Sequence, residues 1–162
     1  AISHGANSPR TDRSRFQIEF AWTGTWDPSP ALCVADALAY LATLRPGGWP
    51  EIMQHNHDLA VAARRLICAA LNIPAPCPDE MIGSLATISL PDAPPRPRAR
   101  SPLFLDPLQD RLLREFHIEV PIMYWPKKPQ RILRIAAQLY NSLPQYERLA
   151  GVLKKVLPRV RK

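Results

Sequence analysis

Proline divides this chain before any other residue acts on it. Nineteen prolines fall among 162 residues, and they concentrate at 74–78 and 91–102. Proline removes a backbone donor and fixes φ, so regular structure must fit between these clusters rather than run through them. The clusters do not repeat, so they act as punctuation and not as a fibrous pattern. Hydrophobic residues make up 46% of the chain, enough to build a packed core between the breaks.

Upstream of the first cluster, Phe16, Ile18 and Phe20 alternate with Gln17 and Glu19, the period of a short half-buried strand. A turn, Trp22-Thr-Gly-Thr-Trp-Asp27, follows. Asp27 or Ser29 can cap a helix over about 30–44, with Pro28 or Pro30 in its first turn. That helix is apolar nearly all round, the mark of burial on most sides, so it needs more protein around it than this chain obviously supplies. Gly47-Gly48 ends it. A long helix then runs from Pro50 to about Leu71, with Ile52, Asn56, Leu59, Ala63, Leu66, Ile67 and Ala70 on one face. His55, Asp58, Arg64 and Arg65 fall largely elsewhere.

Between and beyond the clusters the pattern changes. Leu85–Leu90 reads as a strand, and Pro91–Pro102 as an exposed link. Asp106 caps a helix with Pro107 in its first turn and Leu108, Leu112, Leu113 and Phe116 inside. Ile118, Val120, Ile122 and Tyr124 alternate along a strand. A turn at 126–129 leads into Arg131–Leu139, so this pair should form an antiparallel hairpin. A last helix, about 145–157, turns Tyr146, Leu149, Ala150, Leu153, Val156 and Leu157 inward. Strand, helix, strand, strand, helix implies an α+β domain: a three-stranded antiparallel sheet covered by helices.

The charge balance is +7, from 21 basic and 14 acidic side chains. It permits an anionic partner, but the excess is local. Arg96, Arg98 and Arg100 lie in the proline link, and Lys154, Lys155, Arg159, Arg161 and Lys162 end the chain. The expectation is two solvated basic stretches rather than a nucleic-acid surface. The competing function class is a non-catalytic module binding an anionic partner through this basic face. Three cysteines, Cys33, Cys68 and Cys77, lack CxxC spacing; the odd count points to a reducing, cytoplasmic setting. No apolar run reaches the roughly 20 residues of a membrane span, so no membrane partner is expected. His55 and His57 are two apart on a helix and point to different sides, which argues against a shared metal.

Two places could carry chemistry. Arg134 sits in an apolar strand, on the face of Ile132, Ala136 and Gln138, opposite Leu133, Ile135 and Ala137. Its planar fork suits a carboxylate. A surface position, or an ion pair with Glu119 or another acid, would satisfy it equally well. In the tryptophan-bounded turn, Gly24 lets a backbone approach a ligand, and Thr25 offers a hydroxyl and an amide to a phosphate oxygen. A capped turn with buried tryptophans is the other reading.

Four segments in order carry a resemblance. They are Ile2-Ser3-His4-Gly5; Phe20-Ala-Trp22-Thr-Gly24-Thr25-Trp-Asp27; Arg131-Ile-Leu-Arg134-Ile-Ala-Ala-Gln138-Leu-Tyr140-Asn141; and Gln145-Tyr146-Glu-Arg-Leu149. The series resembles the C-terminal half of class V aminotransferase-fold proteins, which bind pyridoxal 5'-phosphate (PLP), and especially isopenicillin N epimerase-like ones.

The resemblance implies three parts: residues 1–49 as the end of a large α/β PLP-binding domain, 50–78 as a linker helix and proline-rich connection, and 79–162 as a small C-terminal α+β domain. It implies that Arg134 grips the α-carboxylate of an amino acid substrate. It also implies that Thr25, beside Gly24, reaches the cofactor phosphate of the partner subunit in a homodimer. The implied reaction is epimerase, lyase or aminotransferase chemistry.

Two departures stand out. Ala136 replaces a serine common in the family two residues after the arginine. None of Lys127, Lys128, Lys154, Lys155 and Lys162 matches the Schiff-base lysine. That lysine, the aspartate on the pyridine nitrogen and the aromatic stacked on the ring belong N-terminal to this stretch. With an opening Ala-Ile-Ser-His that lacks methionine, the expectation is a fragment, inactive alone.

Overall fold

The computed structural model describes residues 7–21, 24–25, 27–95 and 106–157. His4, Trp22, Trp26, the link arginines Arg96, Arg98 and Arg100, and the terminal Arg159, Arg161 and Lys162 lie outside them. The chain forms two compact units, Ala1–Leu44 and Arg45–Lys162.

The first unit is built of short helices: α1 (Arg15–Phe20), α2 (Ser29–Leu32) and α3 (Val34–Ala42). The strand expected at Phe16–Phe20 is therefore a helix. The reason is local. Ser14 and Gln17 form a capping box: the Gln17 amide donates to Ser14 Oγ at 3.3 Å, and the Ser14 amide donates to Gln17 Oε1 at 3.1 Å. Arg15 and Glu19 pair four residues apart, and the Phe16 and Phe20 rings meet at 5.1 Å. Alternation over five residues also satisfies an i, i+4 contact, and here the cap decides.

The single helix expected over 30–44 is two, interrupted at Cys33, whose ψ of −8° bends the backbone. Its apolar surface is not covered: Leu32 is 73% exposed and Tyr40 65%. None of the residues in α1, α2 or α3 is buried.

The second unit contains α4 (Gly48–Leu71), a 3-10 turn (Asp79–Met81), β1 (Leu85–Leu90), α5 (Pro107–Phe116), β2 (Ile122–Tyr124), β3 (Arg131–Ala136) and α6 (Leu143–Val156). It is α+β, with a three-stranded sheet in the order β1-β3-β2 and both pairings antiparallel. In that register Ala86 faces Ile135, Ile88 faces Leu133 and Ile122 faces Leu133. These inner residues pack with Ala63 and Ile67 of α4, Leu108 and Leu112 of α5, and Leu149 and Leu153 of α6 into one core. Truncating a fully buried leucine such as Leu112 to alanine costs about 2–5 kcal/mol. Leu85, Thr87 and Ser89 of β1 and Ile132, Arg134 and Ala136 of β3 take the opposite face.

Several boundaries differ from the sequence pattern for identifiable reasons. β2 begins at Ile122, not Ile118. The Ile118 amide is used by the end of α5, donating to Leu112 O at 3.0 Å, and Pro121 has no amide to donate to a ladder. β3 stops at Ala136 because Gln138 enters a turn. Its amide donates to Asn141 Oδ1 at 3.0 Å, and its carbonyl accepts from the Asn141 amide at 2.8 Å.

Arg64, expected off the packed face of α4, is 1% exposed. Its guanidinium donates to Cys77 O at 2.8 Å and pairs with Asp79, which also pairs with Arg65. The segment after α4 folds back over Arg64, which helical periodicity cannot register. Ala93, in the link expected to be exposed, is buried at 7%, and its amide donates to Pro129 O.

A second buried pair ties the sheet to α5. Arg131 donates to Asp106 Oδ1 at 2.9 Å and to Pro91 O at 2.8 Å, while Asp106 Oδ1 also accepts from the Leu108 amide at 2.8 Å. One carboxylate thus caps α5 and neutralises the first residue of β3. Beside it, burial first, then the Asp106 charge and hydrogen bond, raise the Tyr124 hydroxyl above its usual range.

Candidate functional site

Arg134 lies where the outer face of β3 meets the ends of α5 and α6. The period of two turns Leu133 and Ile135 into the core and leaves Arg134 exposed. Its backbone amide donates to Pro121 O at 3.1 Å, which fixes the strand at that point. Among the described residues its guanidinium has no ion-pair partner. Glu119 lines the same cleft, but no salt bridge joins the two.

The cleft holds about 440 Å³. Arg134 and Ala136 come from β3; His117, Ile118, Glu119 and Val120 come from the segment after α5; Tyr140, Asn141, Gln145 and Arg148 come from the turn after β3 and from α6. That volume falls within the range of small-molecule sites.

The wall formed by residues 138–145 is tied by side-chain amides. Asn56 of α4, 6% exposed, donates from Nδ2 to Gln138 Oε1 at 3.0 Å, and the Leu139 amide donates to the same oxygen at 2.9 Å. Asn141 Nδ2 donates to Gln145 Oε1 at 3.1 Å, and the Ser142 amide donates there at 3.0 Å. Asn141 is thus engaged in holding the strand end. Tyr146 donates its hydroxyl to Ala136 O at 2.5 Å, from beneath the cleft. Burial, and then the neighbouring Tyr140, push the Tyr146 hydroxyl above its usual range.

Arg148, Tyr140 and His117 also line the cleft, and pattern reading had not singled them out as site residues. One signal was available for Arg148: it lies three residues after Gln145, on the same side of α6. Nothing in the sequence marked His117, which closes α5 in a left-handed conformation with φ of 53°.

Gly24 and Thr25 lie in the first unit. Gly24 has φ of 117°, a conformation open to glycine and strained for other residues. Thr25 is exposed. The α2 helix that follows has four residues, and Asp27 Oδ1 already accepts from the Ser29 amide at 3.0 Å. Hydrogen bonds from the Ser29 backbone and then its side chain hold the Asp27 carboxyl below its usual range. The negative charge at this turn is the protein's own. An anion here would meet the Gly24 backbone and the Thr25 hydroxyl rather than a free helix end.

The fold and cleft thus define a small α+β domain that presents a guanidinium, unpaired among the described residues, to a ligand-sized cleft. No known family profile matches the chain. The chain is 24% identical over 154 residues to a putative L-cysteine desulfhydrase 1 of Oryza sativa subsp. japonica, covering 86% of this chain and 31% of that protein. It is 28% identical over 153 residues to an L-cysteine desulfhydrase of Arabidopsis thaliana, covering 86% of this chain and 33% of that one. The chain therefore spans about a third of the length of the curated relatives it matches.

Proposed function

We propose that this chain is the C-terminal part of a PLP-dependent enzyme of the class V aminotransferase fold that acts on an amino acid, with Arg134 gripping the substrate α-carboxylate. The observation that carries the reading is the Arg134 guanidinium, uncompensated among the described residues at the edge of a substrate-sized cleft. A planar fork with free N–H groups binds a carboxylate through two parallel hydrogen bonds. The desulfhydrase relatives favour a lyase-type reaction over epimerisation or transamination.

The residues present fit part of the cofactor. Gly24 admits close approach of an anion to its backbone, and the exposed Thr25 hydroxyl can donate to a phosphate oxygen. In the family this contact crosses to the partner subunit, so the reading includes a homodimer. PLP, when bound, supplies an electron sink for charge developing at the substrate α-carbon.

No described lysine suits covalent attachment. Lys127 and Lys128 lie in the turn between β2 and β3, the latter over the Tyr124 ring at 5.3 Å, and Lys154 and Lys155 are exposed in the last turn of α6. The reading therefore assigns the cofactor lysine to sequence outside this chain. Arg134 orients the substrate, Ala136 leaves the floor beside it without a hydroxyl, and the amide-tied turn around Tyr140 forms one wall.

Two measurements test this. Arg134→Ala should weaken L-cysteine and acetate binding at least about tenfold, read from arginine Nε–H shifts, with the urea midpoint unchanged. Binding undiminished by the substitution would remove Arg134 from the role. Mixed with PLP, the chain should show no lysine-dependent absorbance near the visible edge, and a stable band of that kind would sink the assignment of the lysine elsewhere.

A further inference from the structure

Among the described residues, a second arginine of the same cleft, Arg148, has no carboxylate partner. We infer that the cleft takes an amino acid whose side chain ends in a carboxylate: Arg134 holds the α-carboxylate and Arg148 the distal one. The inference rests on the role proposed above for Arg134 and adds the substrate class.

Arg148 is held, not neutralised. Its Nη2 donates to Phe116 O at 2.7 Å, the carbonyl of the last residue of α5. Helix-end carbonyls lack helical partners and attract a cation. A neutral carbonyl fixes the guanidinium in place yet leaves its full positive charge and its other N–H groups available, since an arginine has five. Arg134 contributes a second guanidinium to the same lining, without an ion-pair partner among the described residues.

Among the described residues Glu119 is the one carboxylate of the lining, and it bonds neither arginine. The described lining therefore carries two guanidinium charges, that of Arg148 held in place, against one negative, before His117 is counted. A monocarboxylate amino acid uses one guanidinium and leaves the other facing solvent. A ligand with two carboxylates on a short carbon chain uses both. Ile118, Val120 and Ala136 supply apolar surface for that chain. L-Cysteine, with a thiol that is mostly neutral at pH 7, gives Arg148 no anion to hold.

The test uses the 162-residue chain and defined probes: succinate against acetate, and L-aspartate against L-alanine, followed through arginine Nε–H shifts. Each dicarboxylate should bind at least about tenfold tighter than its monocarboxylate counterpart, as expected for one added charge-assisted contact. Arg148→Ala should remove that preference and leave acetate binding within about twofold. Should loss of the Phe116 contact prevent folding, Arg148→Lys keeps the charge and the stem but not the fork, and should lose part of the preference.

Equal affinity for succinate and acetate in the unaltered chain would overturn the inference. So would an undiminished preference in the Arg148 variant that folds. Failure of the Arg134 reading shows separately, as acetate binding undiminished by Arg134→Ala.

Discussion

The two units use apolar residues to opposite ends. In Arg45–Lys162, Ile67, Ile88, Leu112, Leu133 and Leu153 are fully buried in one core drawn from three sheet strands and three helices. In Ala1–Leu44, a helix pair at least as apolar leaves Leu32, Val34, Leu38 and Tyr40 largely exposed. The first unit has one capping box, i, i+4 pairs and turn hydrogen bonds, ties that are local in the chain. The second adds ties between residues far apart, such as Arg131 with Asp106 and Asn56 with Gln138. Apolar composition alone does not bury a helix. Burial needs a complementary surface, and the described part of this chain supplies one for the second unit only.

The sharpest way to break this contrast is thiol labelling. Cys33 is exposed and Cys68 is buried, with burial pushing the Cys68 thiol above its usual range. Cys33 should react more than about a hundredfold faster with an alkylating reagent, because Cys68 is reached only through an opening of the second unit. The raised Cys68 value also delays its thiolate as pH rises. Comparable rates, read by mass spectrometry of the labelled peptides, would mean the second unit is as open as the first.

Next in size is the buried pair. Asp106→Ala strands the Arg131 charge and removes the α5 cap, and should cost about 3–5 kcal/mol in urea unfolding. A loss below about 1 kcal/mol would show that solvent reaches the pair. Tyr146→Phe removes the hydrogen bond to Ala136 O and should cost about 1 kcal/mol. The same variant should leave Cys33 labelling unchanged.

A pH series sharpens the picture further. Burial raises the Asp79 carboxyl, but hydrogen bonds and charges from Arg65 and Arg64 together outweigh it and hold it below its usual range. A folded-state value below the unfolded one means that ionisation favours folding. Its contribution is complete above the unfolded carboxylate range, near pH 4, and fades as the pH falls through the lower folded value. The urea midpoints of the unaltered chain and Asp79→Asn should therefore converge in acid; a gap that widens below pH 4 contradicts the sign. Smallest of all, Phe16→Ala in α1 should shift the unfolding of the second unit by less than about 0.5 kcal/mol. A larger shift in the urea midpoint would tie the units energetically.

The candidate site divides along similar lines. Arg134 was legible because a strand period of two assigns a face from sequence spacing alone. Arg148 and His117 were not, because they reach the cleft from α6 and from the end of α5, and only the packing of those helices brings them beside β3. Arg64 was misassigned for the same reason. Its helical face was read correctly, but the fold-back of Cys77 and Asp79 turns an apparently outward position into a buried one.

What the sequence determined by itself is whatever depends on near neighbours. The span of α4, the Asp106 cap with Pro107 behind it, the β2–β3 hairpin across its proline turn, and the strand, helix, strand, strand, helix order all follow from periodicity and cap chemistry within a few residues. What only the tertiary structure decided depends on contacts across long separations. These are the central place of β3 between β1 and β2, the burial of Arg64 and Arg131 with their carboxylates, and the meeting of Arg134 with Arg148 in one cleft. The physical reason is that caps and periods are short-range preferences of the backbone. Desolvation and charge pairing depend on what the rest of the chain brings alongside.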